Sequence, residues 1–392
     1  MGPTYSPIEM LERLIAFDTT SSLSNLALIE FVENYLQSHG VSARRSGEQA
    51  GKANLFATIG PEAPGGVVLS GHSDVVPVAD QAWSSEPFRL EARDGRLYGR
   101  GTADMKGFLA VALALVPQAL AAGLRRPLHL AISYDEEVGC FGAPKLIEDM
   151  LAEGPRPALV IVGEPSDMKP IAGHKGIAVY RTTVTGRAAH SSQTHRAASA
   201  IYGAARLIAY LEAEAERRRS GPQAEGFEPP YTTFNVGLIE GGTAHNIVPR
   251  SCSFIWHVRT VPGEETGAVL AAFEAYAERE VLPRLRETAP EAAVETDCIA
   301  DVPGLTPDPD SPAEALVRRL TGANSSGFVS FAAEAGLFQR AGVPTVICGP
   351  GSIDQAHQPD EFVERSQIEA CTAFMEKLID WAASDETEAA YL

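Results

Sequence analysis

The chain is short of positive charge. Against 51 Asp and Glu it sets 32 Lys and Arg, a formal net charge of −19. Such an excess of acid repels phosphate backbones and anionic lipid, so neither nucleic acid nor a membrane surface is an expected partner. Its only conspicuous basic run, Arg217-Arg218-Arg219, closes a helical pattern, where cations complement the helix dipole. Long apolar runs are missing too. Phe108 to Leu124 comes nearest, but Pro117 and Gln118 interrupt it, which predicts a buried helix and not a membrane span. No basic segment followed by an apolar one marks a secretory signal at the N-terminus. The five cysteines are scattered, odd in number and without a C-x-x-C pair, a usage that suits free thiols in a reducing cytoplasm. Three catalytic signatures are also lacking: the G-x-S-x-G elbow of serine hydrolases, the Walker spacing and the dinucleotide fingerprint. Cys140, beside an acidic loop, reads as small core filler.

What is present is an ordinary globular composition, 45% hydrophobic and 21% charged over 392 residues, long enough for two cores. Helix-spaced apolar residues run from Ile8 to Ile15 and from Leu26 to Leu36, stopping at Gly40. Short apolar runs follow at 54–59, 66–70, 128–134 and 158–163, with a helix starting near Lys106 between them. Short strands alternating with helices predict an α/β domain with a mostly parallel sheet. From Ile177 the texture changes to strand (177–185), helix (198–218), strands (232–239 and 251–258), helix (264–280) and strand (292–298). That β-α-β-β-α-β order is the signature of a ferredoxin-like α+β domain. After Pro303 the α/β pattern resumes, with a helix at 313–320, a strand at 344–348 and a closing helix at 365–383. The expected organisation is a catalytic domain (1–176 and 301–392) interrupted by an inserted one (177–300).

Loops beyond the carboxyl ends of α/β strands collect functional groups, and four such loops here carry metal-ligating types. Ser70-Gly-His-Ser-Asp74 sets His72 two residues from Asp74, so the carboxylate can bond the far ring nitrogen and fix a metal-binding tautomer. Arg100-Gly-Thr-Ala-Asp-Met-Lys-Gly107 puts Asp104 ahead of a helix. In Tyr134-Asp-Glu-Glu-Val-Gly139, Glu136 and Glu137 can divide the labour of general base and ligand. Gly163-Glu-Pro-Ser166 carries Glu164, and a late, turn-rich loop from Gly349 to Phe362 carries His357. A lone loop histidine is ordinarily structural, and an acidic triplet is ordinarily a solvated face. Together, however, these residues form an inventory suited to two divalent ions sharing one carboxylate.

These motifs, in particular Ser70–Pro77, Gly99–Gly107, Asp135–Gly139 and Gly163-Glu-Pro, resemble the dinuclear-zinc family of aminoacylases, succinyl-diaminopimelate desuccinylase, glutamate carboxypeptidase and acetylornithine deacetylase. The resemblance covers essentially the whole chain. It implies a zinc-peptidase-like catalytic domain with an inserted lid and dimerisation domain, and two Zn²⁺ ions for which Co²⁺ can substitute. By the same resemblance His72 and Glu164 bind one ion, Glu137 and His357 the other, and Asp104 bridges them. Asp74 orients His72, and Glu136 is the general base. Phe17-Asp-Thr-Thr, Ser24-Asn-Leu, Glu334–Phe338 and Gly349–Glu361 look most like the acetylornithine deacetylase branch, although Ala333 stands where that branch has threonine. The substrate implied is a small N-acyl amino acid, N-acetylornithine, which sets the reaction in arginine biosynthesis. Sister amidohydrolases of the family, or a non-catalytic binding protein of the same fold, are the alternatives.

In the inserted domain, His190 matches a family histidine that reaches a neighbouring subunit's site, which implies a homodimer and a donor for the oxyanion. Asn246 resembles a substrate-contact position, and Arg259 ends a strand with a guanidinium shaped to grip an α-carboxylate. His195, His245 and His257 are assigned structural or solvent-exposed roles. Glu334 is proposed, from its charge alone, to meet the substrate's side-chain ammonium.

Overall fold

The structure is a computed structural model that describes residues 2–385. Its contacts divide the chain into two compact units. One comprises the segment up to Gly173 with Leu305–Phe328 and the chain from Ala333 onward; the other comprises His174–Gly304 with Val329–Ala332. Sequence patterning gave 177–300 for the insertion, so each edge differs by a few residues and the short 329–332 segment joins from afar.

The first unit is organised by an eight-stranded sheet. Strands Leu128–Ser133, Val67–His72, Leu159–Pro165 and Thr345–Gly349 lie side by side and parallel at its centre. They are buried at every position, which explains why they read as unbroken apolar runs and not as alternating ones. The flanks differ from the expectation of a mostly parallel sheet. Ala43–Gln49, Lys52–Ile59 and Leu128–Ser133 pair antiparallel on one side, and Ile171–His174 runs antiparallel to Thr345–Gly349 on the other. The sheet is therefore mixed, with a parallel core. Helix Lys106–Ala114 is buried along its whole length and shares one apolar core with helices Pro7–Ile15 and Arg365–Ala383. Among the described residues no helix is long and apolar enough to cross a membrane.

Two glycines let the parallel strands end where they do. A Cβ on Gly163 would lie 2.0 Å from the Phe108 ring, and one on Gly349 would lie 2.0 Å from the Gly163 carbonyl oxygen. Only hydrogen side chains permit that approach, which sets Glu164 directly above the core.

The second unit is a four-stranded antiparallel sheet in the order Thr233–Gly241, Ser251–Thr260, Gly176–Thr185, Ala293–Val302. Helices Ala200–Arg219 and Thr266–Tyr276 complete the β-α-β-β-α-β order. Alternating burial along Gly176–Thr185 and Ser251–Thr260 turns one face onto its own core of Tyr180, Leu207, Trp256 and Phe273.

Candidate metal centre

Five side chains from separate loops of the first unit converge at the carboxyl end of the parallel strands. His72 ends its strand wholly buried, its Nε2 3.1 Å from Asp104 Oδ1 and 3.7 Å from Glu164 Oε1. His357 Nε2 lies 3.4 Å from the other Asp104 oxygen and 2.9 Å from Glu137 Oε2. Asp104 thus stands between two imidazoles, one oxygen toward each. Two sets of ligand atoms fall within 4.8 Å of one another: His72, Asp104 and Glu137 form one, and His72, Glu136 and Glu164 the other.

The far nitrogen of His72, Nδ1, lies 2.8 Å from the main-chain carbonyl of Asp74, whereas the Asp74 carboxylate is 3.6 Å away. This corrects the sequence reading in one detail: it is the peptide oxygen that fixes the ring, with Nδ1 donating to it and Nε2 turned toward Asp104. The Asp74 carboxylate is used elsewhere. It accepts from Ser21 Oγ at 2.7 Å and from the main-chain N–H groups of Glu136 and Glu137 at 3.1 and 3.4 Å. Asp135 turns the chain with a left-handed φ of +55° and is paired with Lys52, so the acidic loop is pinned on both sides.

The electrostatics are those of a site short of positive charge. Burial, together with the charges of Asp104 and Glu136, pushes the Glu164 carboxyl well above its ordinary range. Burial likewise raises Glu136, against the pull of His72 and with the push of Glu137 and Asp104. Glu137 is pushed up to about 7 by burial and by Asp104. Burial opposes the charge on Asp104 as well, yet hydrogen bonds from His357 and His72 hold its carboxyl well below the usual range. Those to Asp104 and Glu137 raise His357 to about 10. Four carboxylates face two imidazoles, and Glu164 Oε1 is buried with no hydrogen-bond partner among the described residues. An unsatisfied buried carboxylate oxygen is costly, and a divalent cation is what this donor set fits.

Glu334 is not free to meet a ligand. It is wholly buried, with its two oxygens accepting from Ser70 Oγ at 2.5 Å and Ser133 Oγ at 2.8 Å. The charge that suggested an ammonium contact instead ties together the strands that end in His72 and lead into Glu136. Glu361, whose role no local sequence pattern signals, is equally buried. It accepts from the N–H groups of Gly101, Ala103 and Asp104 and pairs with Arg100 at 2.7 Å.

The remaining candidates lie in the second unit. His190 and Asn246 are exposed neighbours, joined by a 2.9 Å bond from Ser191 N to the Asn246 carbonyl. The N–H of Ser192 donates to His190 Nδ1 at 3.2 Å. Arg259 is half-buried one residue from the end of its strand, opposite Ile177, at the other end of that sheet.

Comparison with known proteins extends these observations. The model of Peptidase family M20/M25/M40 matches residues 68–381. An acetylornithine deacetylase of Myxococcus xanthus is 36% identical over 375 residues, 94% of this chain and 95% of that protein. One of Proteus mirabilis strain HI4320 is 33% identical over 96% of each. Among solved structures, the M20 family metallo-carboxypeptidase Sso-CP2 of Sulfolobus solfataricus superposes with a TM-score of 0.74 at 19% identity, covering 97% of this chain and 100% of that one. The Bacillus subtilis YxeP protein, a dinuclear metal binding peptidase of the M20 family, does so with a TM-score of 0.66 at 16% identity, over 95% and 96%.

Proposed function

The chain belongs to peptidase family M20/M25/M40, and from that premise we propose that it is a dinuclear metal-dependent amide hydrolase that cleaves N-acetyl-L-ornithine into acetate and L-ornithine. The substrate is argued from the full-length likeness to acetylornithine deacetylases; its product would feed arginine biosynthesis. The observation that carries the chemistry is the convergence of His72, Asp104, Glu137, Glu164 and His357 around a buried, unpartnered carboxylate oxygen. His72 and Glu164 would hold one ion, Glu137 and His357 the other, and Asp104 both. Bound divalent ions, zinc in our reading with cobalt as substitute, would polarise the acyl oxygen and lower the proton affinity of water.

Glu136 takes a proton from the attacking water and returns it to the leaving amine. Its burial, with the charges of Glu137 and Asp104 acting against that of His72, raises its affinity for that proton, as a group that must both accept and donate requires. Asp74 serves it by gripping the peptide N–H groups of the Glu136–Glu137 turn. His190 donates to the oxyanion. Its Nδ1 accepts from Ser192 N, which leaves the proton of a neutral ring on Nε2, the tautomer a donor needs. Asn246 contacts the substrate and Arg259 grips its α-carboxylate.

We also propose a homodimer through the inserted unit, a reading that the positions of these groups support. Ser251 pairs with Thr185, on the side leading to His190, and Arg259 pairs with Ile177. Eight strand residues separate the two ends by about 26 Å at the usual rise. One copy of the unit cannot bring both groups to a single small amino acid, so His190 would come from the partner. Exposed Tyr202, Leu238, Ile239 and Ile247 supply an apolar surface for that contact. We place the enzyme in the cytoplasm, where its free cysteines would stay reduced.

The test is a substrate panel on purified, zinc-loaded protein. N-acetylornithine should be hydrolysed far faster than succinyl-diaminopimelate, N-acetylmethionine or a dipeptide. A different preferred acyl group would move the protein to a sister activity of the family. Chelation should abolish turnover, and zinc or cobalt should restore it.

A further inference from the structure

Two of the five converging ligands, Asp104 and His357, come from loops far apart in the chain, and one buried ionic group holds both. The Glu361 carboxylate accepts from Gly101 N at 3.1 Å, Ala103 N at 2.9 Å and Asp104 N at 3.1 Å, so it folds the turn that presents Asp104. It pairs with Arg100, whose side chain is equally enclosed, each being 1% exposed. Arg100 reaches on with the same Nη1 to the Gln358 carbonyl at 3.3 Å and with Nη2 to Gln81 Oε1. Gln81 then turns its own amide donor onto the main-chain carbonyl of His357, at 2.9 Å. His357 needs such support. Its φ of +64° lies in the left-handed region that a residue with a side chain avoids, and its imidazole is half-exposed, with little packing to hold it.

We propose that Glu361, acting through Arg100 and Gln81, is a positioning group that sets the affinity of the second metal ion, the one that Glu137 and His357 would hold. The inference rests on the dinuclear reading above and adds to it a division of labour. His72 and Glu164 ride on the ends of buried parallel strands, where ladder hydrogen bonds and core packing fix them. His357 has no strand beneath it, and the Glu361–Arg100–Gln81 chain supplies the missing rigidity. Groups that orient metal ligands typically govern affinity by about 10- to 100-fold. The two ions should therefore differ in what they lose when this chain is cut.

Stepwise titration of metal-free protein with cobalt(II), followed by the visible absorption of the bound ion and checked by elemental analysis, tests this. Wild-type protein should take up two ions. Gln81→Ala cuts the link to His357 and leaves the Arg100–Glu361 pair intact. It should bind the first ion within about twofold of wild type and the second about 10- to 100-fold more weakly, with the melting temperature of the metal-free protein unchanged. Glu361→Gln should weaken the second ion at least as much. Because it leaves a buried guanidinium without its anion it also tests folding, and Gln81→Ala carries the result if that variant does not fold. A Gln81→Ala protein whose two binding steps are unaltered, or fall together, would overturn the positioning role. A wild-type protein that takes up fewer than two ions would overturn the dinuclear reading and this proposal with it.

Discussion

Glu136 is the residue whose replacement should separate binding from chemistry. Glu136→Gln keeps the shape of the side chain and removes its basicity. We expect both metal equivalents to be retained while kcat falls by about 10²- to 10⁴-fold; near-normal turnover would remove the proton-transfer role. The stability of the fold should also depend on pH through one buried imidazole. His129 is buried, stacked on Phe56 and bonded through Nδ1 to Thr58 Oγ1, and burial pushes its pKa down to about 4 from 6.5. Above pH 6.5 both folded and unfolded chains carry it neutral. Between 6.5 and 4 the unfolded chain binds a proton that the native protein refuses, so stability falls with pH by about 1.4 kcal/mol per unit for this group. Urea unfolding of metal-free His129→Gln between pH 6 and 4.5 should show a slope shallower than wild type by that amount; identical slopes would mean the native histidine is protonated. The convergence of His72, Asp104 and Glu164 was legible because each sits at a strand end or in the local loop beyond it. Residues whose role depends on distant neighbours were not legible. Glu334 meets serines 264 and 201 positions away, and Glu361 meets an arginine 261 away. No local pattern encodes such pairings, and charge alone gave Glu334 the wrong face.

Among the elements, the ends of two buried strands decide where His72 and Glu164 stand. Gly163→Ala would press a methyl group into the Phe108 ring and shift the residue that follows, Glu164. Overpacking of this kind costs about 1–3 kcal/mol, so the metal-free protein should melt at a lower temperature and the first ion should bind more weakly. Unchanged melting would show that the helix beneath can yield. Elements with strong periodicity were read from sequence nearly residue for residue, as with helix Arg365–Ala383. Ala43–Gln49 was missed because Ala-Arg-Arg-Ser-Gly-Glu-Gln offers no apolar alternation; as an edge strand it buries little, and pairing with Lys52–Ile59 alone makes it a strand. The antiparallel flanks of the sheet escaped for a different reason: strand direction is a property of connections and not of composition.

For the molecule as a whole, the two-unit organisation was readable because the hydrophobic pattern changes period twice, near residues 177 and 303. The proposed homodimer rests on the family resemblance and on the separation of His190 from Arg259. Leu238→Asp, on the exposed end of an edge strand, should shift sedimentation from dimer to monomer and lower kcat with both metal equivalents retained, because the partner's donor is lost. A monomer of full activity would show that each copy suffices alone. Asp104 would stand between two divalent ions, and X-ray diffraction at the zinc edge from crystals of the zinc-loaded protein can locate them. Two anomalous peaks are predicted, one bounded by His72 and Glu164, the other by Glu137 and His357, both touching Asp104. A map with no peak at Asp104, or with zinc only elsewhere, would contradict that placement.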